Sequence, residues 1–271
     1  IDVENLDDSV FYLLKYKSDK SHTVIDTSSF IKNKITITNK DNYDEGIYVL
    51  ADSRQQPLFE ILIGKDQKFS LYVKELMDLK TYKVKGSKET SDYFEVYSKT
   101  AHNQLYMMAL KSELEYFPEN IYKIDSVKNY LHDYHNSIIS KRPDSFLSTY
   151  VKFIKEVEAP KEYHDNSESY IMNHYFDDLP LNDNRILNSR LLKNKLDIFF
   201  NHYMQSQTPE FICQKIDYLI EKSSADRYFD INLQNTHTIE FRKGRGSIKV
   251  SRIITVIEYC EMLCKYAKSA K

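Results

Sequence analysis

Two of the three cysteines, Cys260 and Cys264, lie four residues apart in the final segment EYCEMLCKYAKSAK. A dithiol redox site typically has Cys-x-x-Cys spacing at a helix N-terminus, where backbone amides lower the thiol pKa and a disulfide closes without strain. The Cys-x3-Cys spacing instead fits the apolar stripe of an amphipathic helix formed by Ile253, Val256, Ile257, Cys260, Leu263, Cys264 and Ala267. The spacing favours cysteines packed as small apolar side chains, and a redox pair remains the alternative.

Histidines supply the second candidate chemistry, because His132 and His135 in LHDYHN lie one helical turn apart. Such a pair can share a metal if a third ligand arrives from elsewhere, and His102, His164 and His174 are the candidates. Two histidines on a polar helix face are more commonly solvated. We predict no metal site.

Acidic and amide residues are dense in FDDLPLNDNR, around residue 180. The segment lacks the alternating ligands and central glycine of an EF-hand loop, so helix capping by Asn182 or Asp183 is the simpler interpretation. The sequence also contains no P-loop, no glycine-rich dinucleotide turn and no Gly-x-Ser-x-Gly elbow. We therefore assign no catalytic residue, no cofactor-binding residue and no cofactor.

Charge and hydropathy restrict the partners. The 271 residues carry 38 basic and 40 acidic side chains, interspersed, for a net charge of −2, which gives no field to attract nucleic acid. No apolar run approaches the ~20 residues that span a bilayer. The sequence starts at Ile1 rather than Met, which indicates a processed or trimmed start, so the lack of a signal segment is no argument for the cytoplasm.

The elements that position these residues change type near residue 90. Before it, apolar residues recur at every second position in short segments, such as Val10 to Tyr16 and Ile47 to Ala51, and LFEILIG and KFSLYVK continue the series. The segments are spaced about ten residues apart, with turn residues between them. After it, apolar residues recur every three or four positions, for example Ile121, Ile124, Val127, Leu131, Tyr134 and Ile138. Residues 158–170 are predicted to form a polar loop.

These patterns predict an α+β protein with two segregated domains. Residues 1–90 are expected to form an antiparallel β-sandwich or barrel, and residues 91–271 an all-helical domain, with 236–271 as a C-terminal extension ending in a helix. Glycine usage agrees, because none occurs between Gly86 and Gly244.

Two stretches resemble a known family. The segment DEGIYVLADSRQQPLFEILIGKDQKFSLYVK, followed by YKVKGSKETSDYFEVYS, resembles the β-rich domain that precedes the thioredoxin-like module in bacterial envelope thiol-disulfide oxidoreductases of the peroxiredoxin-like (AhpC/TSA) class. NHYFDDLPLNDNRILNSRLLKNKLDIFF (173–200) is similar to the helical domain that follows in many of these proteins. The matching positions are the aromatic pair Tyr175 and Phe176, Asp183 with Arg185 and Leu187, and Asn194 to Leu196.

The resemblance implies a cellular location for the protein but no enzymatic activity. The catalytic Cys-x-x-Cys of the family belongs to a thioredoxin-like module that has no counterpart in these 271 residues, so no catalytic residue carries over. We expect a non-catalytic binding or scaffold protein of the cell envelope, periplasmic or outer-membrane-associated, with a lipid anchor on a removed N-terminal segment as its only membrane attachment. The expected partner is a protein or small molecule, a thioredoxin-like protein among the candidates. The alternative is a redox protein that uses Cys260 and Cys264 or acts with a thioredoxin-like partner in trans.

Overall fold

The structure, a computed structural model, describes residues 1–4, 8–16, 22–31, 34–39, 41–203, 208, 211, 212, 214, 215, 218, 219 and 222. The chain divides into two compact units. The first comprises Ile1–Tyr16 and His22–Glu156, and the main described part of the second begins at Val157.

The first unit begins with an eight-stranded sheet that curls into a half-barrel. Its strands lie in the order β6-β5-β2-β3-β4-β1-β7-β8. The strands are β1 (Asp2–Val3), β2 (Val10–Tyr16), β3 (His22–Ile31), β4 (Lys34–Ile35), β5 (Gly46–Ala51), β6 (Pro57–Ile63), β7 (Ser70–Val73) and β8 (Lys83–Lys85).

The sheet is mixed, whereas the sequence predicts an antiparallel one. All pairings are antiparallel except that of β1 with β7, where Asp2 faces Tyr72 and Val3 faces Val73 in parallel register. The two-residue β1 also pairs with β4, and the amino group of Ile1 donates to the carbonyl of Ile35 at 2.6 Å. By lying between β4 and β7, β1 satisfies backbone groups that would otherwise form open edges.

Helix α1 (Lys88–Ser112) starts directly after the last strand, so the predicted change of period near residue 90 is confirmed. Gly86 makes the turn with φ +99°, a conformation that favours glycine. Ser87 then caps the helix by accepting from the Thr90 amide at 3.2 Å, and the Thr90 hydroxyl donates to the Leu62 carbonyl at 2.9 Å. These buried bonds attach the start of α1 to β6.

Three helices belong to the first unit: α1, α2 (Asn120–Lys141) and α3 (Phe146–Ile154). Aromatic contacts join α1 to its neighbours: Phe94 packs on Tyr82, just before β8, at 4.9 Å, and Tyr93 packs on Tyr150 of α3 at 5.1 Å between ring centroids. The C-terminal half of α1 packs instead against α2, through a small core of Met107, Leu110, Ile124 and Leu131. The protein is thus α+β, with a helical hairpin whose outer half packs around a small core of its own.

The second unit contains α4 (Ser167–His174) and α5 (Leu191–Ile198), with 3-10 turns at Lys161–Asn166 and Asn184–Asn188 and a π turn at Phe199–Tyr203. Its core combines an aromatic cluster with buried aliphatic side chains such as Ile186 and Leu196; the cluster consists of Tyr175, Phe176, Phe199 and Phe200. The prediction of a loop at 158–170 is wrong, because the 3-10 turn and the start of α4 occupy it. No residue of α4 is buried, so its polar sequence gives no apolar stripe to signal a helix. Within the described part of the chain, no helix has the length and apolarity to cross a membrane.

Candidate functional site

A cleft of about 530 Å³ lies between α1 and α2 of the first unit. Each helix supplies a row with i, i+4, i+7 spacing, which places the row on one helix face. The lining residues are Lys88, Asp92 and Glu95 on α1, Tyr134, Ile138 and Lys141 on α2, and Arg142 directly after α2. Because the two helices are antiparallel neighbours, the first residue of α1 and the last residue of α2 meet at one end of the cleft, which is therefore cationic.

Asp92 organises the cationic end. Its side chain is only 8% exposed, and its two oxygens accept from Lys88 Nζ and from Arg142 Nη2. A buried carboxylate requires such partners, so Asp92 holds both cations in place. Lys141 forms no ion pair within the described part of the chain. The cleft thus presents three cations, of which Asp92 neutralises one.

The opposite end of the cleft is aromatic. Lys99 Nζ lies 4.7 Å from the ring centroid of Tyr134 and donates to Glu95 Oε1 at 2.7 Å. The bond to Glu95 raises the pKa of Lys99. Burial, followed by the charge of Glu95, raises the pKa of Tyr134, so its hydroxyl stays protonated and neutral at physiological pH. This end of the cleft therefore presents the uncharged ring of Tyr134 beside the ion pair of Lys99 and Glu95, whose two charges compensate each other.

His135 lies on the buried side of α2, next to the cleft residue Tyr134. It is 4% exposed, and its Nε2 is 2.9 Å from the Thr100 hydroxyl of α1. Burial lowers the pKa of His135 to about 4, and the positive charges of Lys155 and His132 act in the same direction. The interpretation of both histidines as solvated is therefore wrong for His135, which is a neutral core residue at pH 7.

The other histidines whose side chains the structure describes do not complete a metal site with this pair, and the side chain of His164 lies outside that description. His102 is exposed, His132 is partly buried, and His174 belongs to the second unit, where its Nδ1 is 2.6 Å from Asp177 Oδ2. Among the described residues, no group of three or more His, Cys, Asp and Glu side chains is arranged to hold a metal ion.

A second feature is the exposed apolar surface where α1 ends and α2 begins, which we call the hairpin tip. Its large side chains are 43% to 77% exposed. They are Leu105, Tyr106, Met108, Tyr116, Phe117, Ile121 and Tyr122. The turn that joins the helices is ordered by hydrogen bonds, among them Phe117 N to the Glu113 carbonyl at 2.8 Å and Asn120 Nδ2 to Glu113 Oε2 at 3.3 Å. The tip therefore presents apolar side chains on a structured hairpin.

In the second unit, polar groups gather around Asp177. It accepts from Tyr218 at 2.7 Å, and Lys222 Nζ donates to the backbone carbonyls of Phe176 and Asp177. Burial acts to raise the pKa of Asp177, but hydrogen bonds from Tyr218 and His174 and the charge of Lys222 outweigh it, so the pKa is lowered. These groups satisfy one another, which is the pattern of a structural network.

The positions that carry the family resemblance have structural roles where they are described. Tyr175 and Phe176 are buried against Phe199, and Asp183 accepts from the Arg185 amide at 2.9 Å. The predicted cap at Asp183 is thus confirmed, although it begins a 3-10 turn. Thr208 is a cap as well, since its Oγ1 accepts from the Phe211 amide at 3.3 Å.

Cys213, Cys260 and Cys264 lie outside the described residues. Packing and redox chemistry at Cys260 and Cys264 therefore both stay predictions.

The cleft was not predicted from the sequence. The sequence feature that could have indicated it is the i, i+4, i+7 spacing of charged, aromatic and aliphatic residues on two neighbouring helices, at 88, 92 and 95 and at 134, 138 and 141. A comparison of the chain with protein-family models, curated proteins and solved structures finds no match.

Proposed function

We propose that this protein is a non-catalytic binding and scaffold protein, and that a second copy of the chain docks on its hairpin tip. The observation that carries the proposal is the exposure of four aromatic and three aliphatic side chains at one end of the hairpin. Large apolar side chains left in water at one location are typical of interaction surfaces.

The exposed area is close to what a dimer interface of this chain would need. Aromatic side chains bury roughly 150–250 Å² each, so at these exposures the tip offers about 600 Å² of apolar surface. Monomers rarely show more than this, and a stable interface covers about 800 Å² per partner. The tip also carries charges of both signs, Lys111, Glu115 and Glu119, which can pair across a self-complementary two-fold interface.

Sedimentation equilibrium tests the proposal, at protein concentrations from about 1 to 200 μM. The wild-type chain should form dimers, and Leu105→Ser with Tyr122→Ser should shift the equilibrium to monomers. Both side chains are mostly exposed, so the variant should retain its circular dichroism spectrum. Met77→Ser is the matched control, because Met77 is 97% exposed but lies outside the hairpin. A wild-type monomer at every concentration contradicts the proposal, as does an equal effect of the control.

The cellular setting is part of the same proposal and is supported by the resemblance in the sequence. We place the protein in the cell envelope, with thioredoxin-family oxidoreductases as relatives and a thioredoxin-like protein as a candidate partner. We likewise propose that a β-sandwich or barrel is segregated from an all-helical domain. Fractionation of native cells, with immunodetection in envelope and cytoplasmic fractions, tests the location.

The alternative function, thiol-disulfide exchange through Cys260 and Cys264, has a separate test. Catalysed insulin reduction with a dithiol donor, abolished by Cys260→Ser, would support it. We expect no catalysis, because the Cys-x3-Cys spacing differs from the Cys-x-x-Cys spacing that activates a thiol at a helix N-terminus and closes a disulfide easily.

A further inference from the structure

We infer that the cleft between α1 and α2 binds a small organic monocarboxylate with an apolar body. Its volume of about 530 Å³ lies within the range of small-molecule sites. The inference is independent of self-association, since the cleft residues are distinct from the hairpin tip.

Charge selects the ligand class. Three cations and two carboxylates line the cleft, which leaves a net charge of +1. Glu95 is already paired with Lys99, so the excess positive charge lies at the end formed by Lys88, Lys141 and Arg142. At that end three cations face one carboxylate, Asp92, so two positive charges are uncompensated and attract an anion. The apolar residues beyond them, Ile138 and Tyr134, favour an organic anion over free phosphate.

Geometry favours a carboxylate. Arg142 uses one nitrogen on Asp92, and a guanidinium has five N–H donors, so further donors remain for a ligand. Asp92 restricts the orientation of Arg142, and Lys141 adds a charge that no described residue neutralises. A planar carboxylate matches this arrangement because it accepts two parallel hydrogen bonds from one guanidinium.

Apolar lining specifies the rest of the ligand. Ile138 and Tyr134 follow Lys141 at successive turns along α2 toward the other end of the cleft. An aromatic or aliphatic body attached to the carboxylate can lie along this wall and remove apolar surface from water. Asp92 is a positioning residue in this arrangement, and Arg142 and Lys141 are the residues expected to contact the ligand.

Benzoate is the probe, titrated into the full-length protein and followed by nuclear magnetic resonance shifts. Binding should saturate and perturb residues of the cleft. Benzamide, the neutral analogue, should bind at least tenfold more weakly, because it offers no charge to the cations. Inorganic phosphate should also bind more weakly, since it lacks the apolar body.

Variants separate the cleft from general attraction to lysines. Lys141→Gln should weaken benzoate binding at least threefold, and Arg142→Gln should weaken it at least tenfold. Lys128→Gln, on α2 but outside the cleft lining, is the control and should leave binding unchanged. Arg142→Gln could fail to fold because Asp92 loses a partner. In that case the double variant Asp92→Asn with Arg142→Gln, which also removes the buried charge, takes its place. The effect of Lys141→Gln on benzoate binding decides the test independently.

Several outcomes would overturn the inference. The first is the absence of saturable shifts up to about 20 mM benzoate, because a weaker interaction is negligible for so small a ligand. The others are an equal affinity of the cleft for benzamide or for phosphate, and unchanged benzoate binding in Lys141→Gln. Because Lys141→Gln should leave the dimer intact, failure of the cleft and failure of the hairpin tip are distinguishable.

Discussion

Replacing Gly64 by alanine should destabilise the first unit through a single contact, with the carboxylate of Glu89. Gly64 directly follows β6, and a Cβ atom at this position would overlap Glu89 Oε2. Glu89 is 8% exposed, and its Oε1 accepts from the Leu147 amide at 2.8 Å, in the first turn of α3. The carboxylate therefore has little room to move without losing a buried hydrogen bond.

The magnitude follows from the two single changes. Overpacking a tight site costs about 1–3 kcal/mol, so we expect about 2 kcal/mol for Gly64→Ala. Glu89→Ala leaves the buried Leu147 amide without its acceptor and removes a negative charge from a helix N-terminus, for about 2–3 kcal/mol. In the double variant the new methyl group occupies space that Glu89 has vacated. Gly64→Ala should then add less than about 0.5 kcal/mol, which gives a coupling energy of about 1.5–2 kcal/mol.

Urea unfolding of the four proteins, followed by circular dichroism, measures the cycle. Hydrogen exchange of the Leu147 amide reports the same bond locally, and it should accelerate in both single variants. Costs that add within about 0.5 kcal/mol would refute the reasoning, since independent sites are additive to that degree.

Three further predictions concern other parts of the chain. Folding lowers the pKa of His135 from 6.5 to about 4. Between pH 6.5 and pH 4 the unfolded chain therefore binds a proton at His135 that the folded chain does not. The free energy of unfolding should therefore fall as pH falls from 6.5 towards 4, by about 2 kcal/mol after allowance for solvent screening, and the fall should be smaller in His135→Gln in denaturant titrations. Gly86→Ala should cost about 1–3 kcal/mol in thermal unfolding, because of its φ of +99° and because a Cβ would lie 2.5 Å from the Lys68 carbonyl, whereas Lys85→Ala should be neutral. Asp183→Ala should cost about 1 kcal/mol through the lost cap and the lost ion pair with Arg185, with the exposed Asp178→Ala as control in the same denaturant assay.

The strands are predicted where local periodicity suffices. Alternation identifies β2, β5 and β6, and turn residues separate them. The two-residue β1 has no period to detect, and its parallel pairing with β7 depends on residues about 70 positions away. A register shift between Leu13 and Leu14 of β2 also escapes prediction, because it depends on how β3 is paired.

Burial of polar residues is the other limit of sequence reasoning. The apolar stripe of α2 predicts Ile124 and Leu131 correctly, but Ile121 from the same stripe is 43% exposed. His135 is buried because Thr100, 35 residues earlier, provides its hydrogen bond. The cleft likewise depends on the register of α1 against α2, which Asp92 and Arg142 fix across 50 residues. The local sequence pattern does not indicate which distant residues will pair.

A photo-crosslinking experiment tests the central claim most directly, namely that a second copy docks on the hairpin tip. Benzoylphenylalanine replaces Tyr122 in one sample and Met77 in a control sample, and both positions are largely exposed. Irradiation of the Tyr122 sample should give a covalent dimer, with mass spectrometry locating the crosslink within residues 105–122 of the second copy. The Met77 sample should remain monomeric on denaturing gels. No dimer from position 122, or crosslinks that fall outside the hairpin, would contradict the account.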